Sequence, residues 1–498
     1  MNLSKSLYTK GIQCQKSLWL KKYNKEVLTP PDDSALARFE TGNEVGDLAC
    51  QLFPNGIEVA YTTNFDEMIE QTAKYIADGF KYIYEATFSF DGILVLVDVL
   101  EIHEDGVCIY EVKSSSSVKD IYVHDTSIQY YVLSKLGFSI KTANVVHINN
   151  SYVRGDTLEL DELFTIADVT DEVVVLQEDI PSVLKEFETV LADKINEPNI
   201  DIGKHCNNPY ECDAKNYCWK TQRQIPEYSI FNIFNLGSKK QIELYDQGII
   251  NIEDIEDDFA MTANQASAVQ NYKSKETFIN KEKIKEFIDT LIYPIYHLDF
   301  ETFQQAIPQF KGISPYQQIP FQYSLHIEHE NGILEHKEYL ALDGIDPREQ
   351  IAQRLCEDIP SDVTVLAYNM SFEKGVIKKL AESFPTLSTH LLSINENMND
   401  LMIPFQKKYY VTPSMNGNYS IKYVLPALVP ELAKAYKELD GVQNGTQAMN
   451  AFANMSKMEE GEKLKMRTSL IEYCKLDTLA MVKILGKLQY DAIDAKEV

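Results

Sequence analysis

Four separated stretches of the C-terminal half carry acids whose spacing suits shared chemistry. In HLDFETF, Asp299 and Glu301 stand two apart on an apolar strand, so both carboxylates leave the same face. Like charges side by side at the end of such a strand repel, and a divalent cation removes that cost. In LAYNMSFEKGVI, Glu373 opens a helix directly after a strand, and in MNDLMIPF, Asp400 begins a further helix or loop. In YCKLDTLAMV, Tyr473 and Asp477 are four apart and share one helical face. Any one of these pairs would be ordinary on an acidic protein. Together they are residues of the kind that hold divalent ions.

The N-terminal half repeats the theme. Asp98 interrupts the apolar strand GILVLVDVLEI, and in GVCIYEVKSSSS, Glu111 and Lys113 alternate onto one face of the next strand. That set allows one metal to sit beside a lysine, the cation polarising a phosphate while the lysine positions water or stabilises charge. A buried Glu–Lys ion pair is the alternative. Of the eight cysteines, Cys50, Cys108, Cys356 and Cys474 are scattered among apolar neighbours and read as small core residues. Cys206, Cys212 and Cys218 recur at intervals of six in GKHCNNPYECDAKNYCW, a loop-like stretch whose thiolates can converge on one metal centre. Disulfides are not expected of a cytosolic chain.

The elements that must position these residues form an α/β chain in three parts. Residues 1–225 hold a basic N-terminal segment, a helical stretch around 34–53, strands through 80–115 with turns at Asp91-Gly92 and Asp105-Gly106, a helix ending at Gly137 and a further strand. Residues 226–290 are helix-rich, with a turn at Gly248-Ile249, and read either as a helical connector or as a helix-hairpin-helix-like module. Residues 291–498 restart the pattern with a buried strand, a hairpin turning at Asn331-Gly332, a helix N-capped by Ser371 and a long amphipathic C-terminal helix. A mixed sheet with helices on both sides fits that order.

The 498 residues, 44 % hydrophobic and 24 % charged, describe an ordinary globular protein with material for several cores. No apolar run is long enough to span a bilayer, and the N-terminus has no secretory h-region, so no membrane partner and a cytoplasmic location are expected. Lys+Arg 47 against Asp+Glu 75 gives a net charge of −28, which argues against a sequence-independent nucleic-acid coat. It leaves room for an enzyme whose metals supply the positive charge. The first 25 residues nevertheless carry Lys5, Lys10, Lys16, Lys21, Lys22 and Lys25 and no acid. In PFQKKYYVTPSMNGNYSIKYVL, Lys407, Lys408 and Lys422 interleave with Tyr409, Tyr410, Tyr419 and Tyr423, either a stacking surface for single-stranded bases or core tyrosines with solvated lysines.

The C-terminal motifs resemble those of the DEDD exonucleases, built on the RNase H-like fold. D-x-E matches at Asp299 and Glu301, and the closing Y-x-x-x-D of the tyrosine branch matches at Tyr473 and Asp477. The middle motif matches in part at Asn369, Phe372 and Glu373, with glutamate where aspartate is usual. The resemblance implies 3'-5' exonuclease chemistry by two Mg2+ or Mn2+ ions. Asp299 would bridge both ions, while Glu301 and Asp477 complete the first. Glu373 would hold the second through water, or leave that role to Asp400, and Tyr473 would orient the attacking water.

The N-terminal half resembles the RecB-type PD-(D/E)XK nucleases, in the branch that has one cysteine near the N-terminus and three after the nuclease core. Cys14 with Cys206, Cys212 and Cys218 has that arrangement, implying a structural [4Fe-4S] cluster, with zinc as the alternative and His205 as a substitute ligand. Glu44, with Asp47 nearby, stands where the branch usually has a metal-binding histidine, and is a hard oxygen ligand suited to magnesium or manganese. Gln129 with Tyr130 and Tyr131 stands where a glutamine–tyrosine pair is usual. The whole chain resembles a bacterial family fusing the two modules. That implies a nuclease acting on nucleic acid, DNA ahead of RNA, with single-stranded ends favoured and repair or defence as contexts. Only one half need be active, the other serving as a clamp, and a non-catalytic scaffold is the third expectation.

Overall fold

The structure is a computed structural model that describes residues 3–492. The chain divides into two compact α/β units, Met1–Gln224 with Gln305–Gln317, and Ile225–Gln304 with Gln318–Val498. The first break falls between Gln224 and Ile225. The helix-rich 226–290 stretch belongs to the second unit, where part of it has a small core of its own, including Ile230, Leu244, Ile252 and Val269. The excursion 305–317 belongs to the first unit, where Ala306 joins a core with Val146 and Leu163. Sequence patterning gave no sign of this, because the segment interrupts the strands of the other unit.

Unit 1 holds a seven-stranded sheet: β1 (Leu3–Ser4), β2 (Ile57–Glu58), β3 (Tyr82–Phe90), β4 (Ile93–His103), β5 (Gly106–Lys113), β6 (Ile140–Ile148) and β7 (Phe164–Asp168). The order is β2-β3-β4-β5-β6-β7, with β1 beside β4. Asp91 and Gly92, both at positive φ (49° and 73°), form the tight turn that makes β3 and β4 a hairpin. β5 runs parallel to β6 after a crossover through a helix, as a parallel pair requires. The helices that matter for the site are α1 (Lys5–Gln13), α2 (Gln15–Tyr23), α3 (Asp33–Ala49), α4 (Phe65–Ala77) and α5 (Asp120–Lys135).

In unit 2, β8 (Phe278–Ile279) forms a small ladder with a segment at Tyr410–Val411. The main sheet comprises β9 (Ile295–Phe303), β10 (Ile319–Glu328), β11 (Leu334–Leu340), β12 (Thr364–Ala367) and β13 (Met398–Asp400), in the order β11-β10-β9-β12-β13. β10 is antiparallel to both neighbours, whereas β9, β12 and β13 are parallel. Leu298 and Phe300 point into a core with Ile351, Leu355, Ile377 and Leu380. The alternate residues Asp299 and Glu301 therefore face the other way, toward the C-terminal helix Glu460–Ala492, which packs on β9 and β10.

Two local expectations are corrected. Ser371 does not cap its helix. It is the first helical residue, and Met370 holds the cap position. Asp400 ends β13 rather than opening a helix or loop. The two corrections share one cause: the Asp400 carboxylate accepts from the amides of Asn369 and Met370 at 2.9 and 3.3 Å, and so closes the β12–helix turn that Ser371 was expected to close.

Candidate metal centres

In unit 2, the predicted acids converge. Oxygen atoms of Asp299 and Glu301 and the sulfur of Cys474 lie within 4.8 Å of one another. Asp299 also lies within electrostatic reach of both Asp477 and Glu373. Burial pushes Asp299 well above the usual carboxylate range, and the charges of Asp477, Glu301 and Glu373 push it further. Burial does the same to Glu301, with Asp477 adding to it. Asp477 is raised to about 7 by burial, against the opposing hydrogen bonds of Tyr436 and Tyr473 and the charge of Lys422. Glu373, on the first turn of the Ser371–Ser383 helix, is raised to about 8 by burial, with the Asp400 charge adding to it.

These carboxylates are short of donors. Oδ2 of Asp477 and Oε2 of Glu373 are buried without a hydrogen-bond partner among the described residues. Acceptor-only, mutually repelling oxygens fit hard divalent ions, which take carboxylate oxygen and tolerate several acids at once. Asp400 differs. Besides Asn369 and Met370, it accepts from the Met402 amide at 2.9 Å, so its oxygens hold the backbone that carries Glu373.

Sequence reasoning missed Tyr436, whose hydroxyl donates to Oδ1 of Asp477 at 2.8 Å from the separate helix Pro430–Glu438. Nothing in PELAKAYKE marks that tyrosine. It also missed Cys474, read as a small core residue, which is fully buried but directly among the acids. The Lys–Tyr stretch divides. Tyr410 is core, bonded to Asp491 at 2.9 Å; Tyr409 and Tyr419 pack on the same core; and Lys408 bonds the Asn264 carbonyl. Lys422 and Tyr423 are exposed, the former within electrostatic reach of Asp477.

In unit 1, β4 and β5 bring Asp98, Glu111 and Lys113 together, and the donors around them are plentiful. Glu111, 1 % exposed, accepts from Lys113 at 2.5 Å, from Gln129 at 2.7 Å and from Lys5 at 2.9 Å on each oxygen. Asp98 accepts from the Val112 amide at 2.7 Å. Although burial opposes it, the charges of Lys113 and Lys5 hold Glu111 far below the usual range. Asp125, bonded to Lys113 at 2.6 Å, is raised to about 6 by burial and by Glu111, and Glu85 to about 7 by burial and by Asp98. Neither acid was anticipated. The four-residue spacing of Asp125 and Gln129 on α5 was the available signal. Glu85 interrupts its strand opposite Asp98 at a φ of 55°. Glu44 is exposed on α3, a helix packed against β5, and Asp47 is likewise exposed. Tyr130 and Tyr131 pack against the unit's core.

Besides Lys5, two lysines of the basic N-terminus are paired internally: Lys10 bonds Asp213 at 2.8 Å and Lys16 pairs with Glu197 at 3.1 Å. Beyond α1, Cys14, Cys206, Cys212 and Cys218 line one pocket, with His205 and Ser17 beside them. Hydrogen bonds with Cys14 and Cys206 raise His205 to about 10, and burial raises Cys218 to about 11. Among the described residues, no three of these sulfurs lie within 4.8 Å of one another. The structure also groups Glu101, His103 and Cys108 on the β4–β5 hairpin, within 4.8 Å of one another. Among the described residues, no helix is long and apolar enough to cross a membrane.

Residues 296–420 match a domain of unknown function, DUF2779, a span that includes Asp299, Glu301, Glu373 and Asp400. The chain is 26 % identical over 294 residues to "Uncharacterized protein UU173" of Ureaplasma parvum, covering 53 % of this chain and 41 % of that protein. It is 24 % identical over 242 residues to "Uncharacterized protein MG366" of Mycoplasma genitalium, covering 44 % of this chain and 36 % of that protein. The structure is thus that of a mixed α/β protein, and the chain contains a DUF2779 domain and shares distant similarity with proteins of Ureaplasma and Mycoplasma over less than half of their length.

Proposed function

We propose that this protein is a metal-dependent nuclease whose principal centre, in unit 2, hydrolyses phosphodiester bonds of DNA from single-stranded ends. The observation that carries this is the burial of Asp299, Glu301, Glu373 and Asp477 around one locus with two donor-less oxygens. A DEDD-type, RNase H-like domain is supported by the central placement of the D-x-E strand in a five-stranded mixed sheet. Bound Mg2+ or Mn2+ would supply the Lewis acidity and activated water of phosphodiester hydrolysis. Asp299 lies within electrostatic reach of Asp477, Glu301 and Glu373, and would be one of the carboxylates that hold the ions. Tyr436 and Tyr473 orient Asp477 through its hydrogen bonds. Asp400 holds the turn that presents Glu373.

For unit 1 the proposal is a RecB-type PD-(D/E)XK domain stapled by a [4Fe-4S] cluster on Cys14, Cys206, Cys212 and Cys218. The pocket shared by those thiols supports it. Asp98, Glu111 and Lys113 would form a second hydrolytic centre. The saturation of Glu111 with lysine and glutamine donors favours a second reading, in which unit 1 grips nucleic acid and only unit 2 cuts.

The test is anaerobic purification followed by assays on labelled single- and double-stranded DNA and RNA with Mg2+ or Mn2+, using the wild type, Asp299→Ala and Glu111→Ala. Loss of cleavage in Asp299→Ala alone supports one active centre in unit 2, and loss of a distinct product pattern in each variant supports two. Faster cleavage of RNA than of DNA reassigns the substrate. No metal-dependent cleavage of any substrate overturns the proposal.

A further inference from the structure

Lys113 does not balance the unit 1 acids by itself. It turns toward Asp125, at 2.6 Å, and reaches only one oxygen of Glu111. The Lys5 ammonium donates to both Glu111 oxygens at 2.9 Å and stands 3.5 Å from Oδ1 of Asp98, the oxygen left over once Oδ2 has accepted the Val112 amide. Lys5 is rooted in rigid structure. Leu3 and Ser4 pair with Ile93 and Leu94 of β4, the Leu3 amide donates to the Gly92 carbonyl at 2.9 Å, and Ser4 caps α1. Among the described residues it is the ammonium in contact with Asp98 and Glu111 together.

Resting on the assignment of Asp98 and Glu111 as a metal-binding pair, we infer that Lys5 is the built-in counter-ion of that pair and competes with a divalent cation for it. Each carboxylate oxygen has two lone pairs, and each Glu111 oxygen already accepts two donors. Coordination of Glu111 therefore has to displace a donor. Lys113 and Gln129 are also anchored on Asp125, at 2.6 Å to its carboxylate and 3.2 Å to its carbonyl, whereas the Lys5 ammonium, about as exposed as that of Lys113 (20 % against 22 %), contacts only Glu111 and Asp98 among the described residues, so its release breaks no further bond. Lys5 thus keeps the buried acids compensated until a cation replaces it.

The experiment uses the full chain, with Mn2+ binding and melting temperature as readouts, in the wild type, Glu111→Gln, Lys5→Met and Lys5→Gln. The expected result is a Glu111-dependent Mn2+ site whose affinity rises about tenfold or more in both Lys5 variants, the scale of a lost charged hydrogen bond. Their metal-free melting temperatures should fall, by about 3 °C or more, and recover with Mn2+. A Glu111-dependent site whose affinity and metal-induced melting shift are unchanged in both Lys5 variants overturns the inference. So do Lys5 variants that fail to fold even with Mn2+. If Glu111→Gln leaves Mn2+ binding unchanged, the metal assignment of unit 1 falls first, and the inference falls with it.

Discussion

The Tyr436 hydroxyl donates a 2.8 Å hydrogen bond to Oδ1 of Asp477, from a helix some forty residues earlier in the chain. Oδ2 of the same carboxylate is buried without a hydrogen-bond partner among the described residues, within electrostatic reach of Asp299 and Glu301. One oxygen is thereby fixed and the other kept available. Tyr436→Phe removes the fixing bond while preserving the ring packed edge-on to Tyr473 at 6.0 Å. Metal-dependent cleavage is expected to fall about tenfold, the scale of one hydrogen bond to a charged group, with stability changing by about 1 kcal/mol. Steady-state cleavage rates and thermal melts of the same preparations measure both.

The acids of unit 2 work against the fold when no cation compensates them. Removing one charge by Asp299→Asn should raise the melting temperature in EDTA, by the equivalent of about 1–2 kcal/mol, while abolishing cleavage. A variant that melts lower than wild type in EDTA would show that the acids are not in mutual repulsion.

The same acids set a pH dependence of known sign. Asp477 and Glu373 have folded values raised to about 7 and about 8 from 3.8 and 4.5. The folded state therefore binds more protons than the unfolded one between those limits, and stability falls as pH rises from about 4 toward 8, by at most about 1.4 kcal/mol per proton per pH unit. Melting in EDTA should be higher at pH 5 than at pH 8, and the difference should shrink in Asp477→Asn. Glu111, held low, has the opposite sign, and its contribution is complete once the unfolded residue has ionised, by about pH 5.5.

Asp400 is predicted to be structural. Asp400→Ala strips acceptors from the Asn369, Met370 and Met402 amides and should cost about 2–3 kcal/mol in a denaturant melt. Added Mn2+ should leave that penalty largely in place, whereas a ligand's loss would appear mainly as weaker Mn2+ binding by titration.

The thiol pocket yields a visible test. Anaerobically purified protein should be brown, with absorbance near about 400 nm that is lost in Cys212→Ser together with a lower melting temperature. A colourless preparation holding one zinc per chain would assign the centre to zinc.

Sequence alone determined the local facts. Asp299 and Glu301 share a face because strand side chains alternate, Tyr473 and Asp477 because a helix turns every 3.6 residues, and Asp91-Gly92 turns a hairpin because both residues accept positive φ. Such rules act over a few residues, and the interval of six that spaces Cys206, Cys212 and Cys218 is of the same local kind. Only the tertiary structure decided what crosses those distances: Tyr436 on Asp477, Asp400 in place of Ser371 at the helix entrance, Lys5 on Glu111, and 305–317 packed in unit 1. Each depends on contacts between residues far apart in the chain, and no periodicity records those, because the free energy that selects them comes from burial and charge compensation in the assembled core.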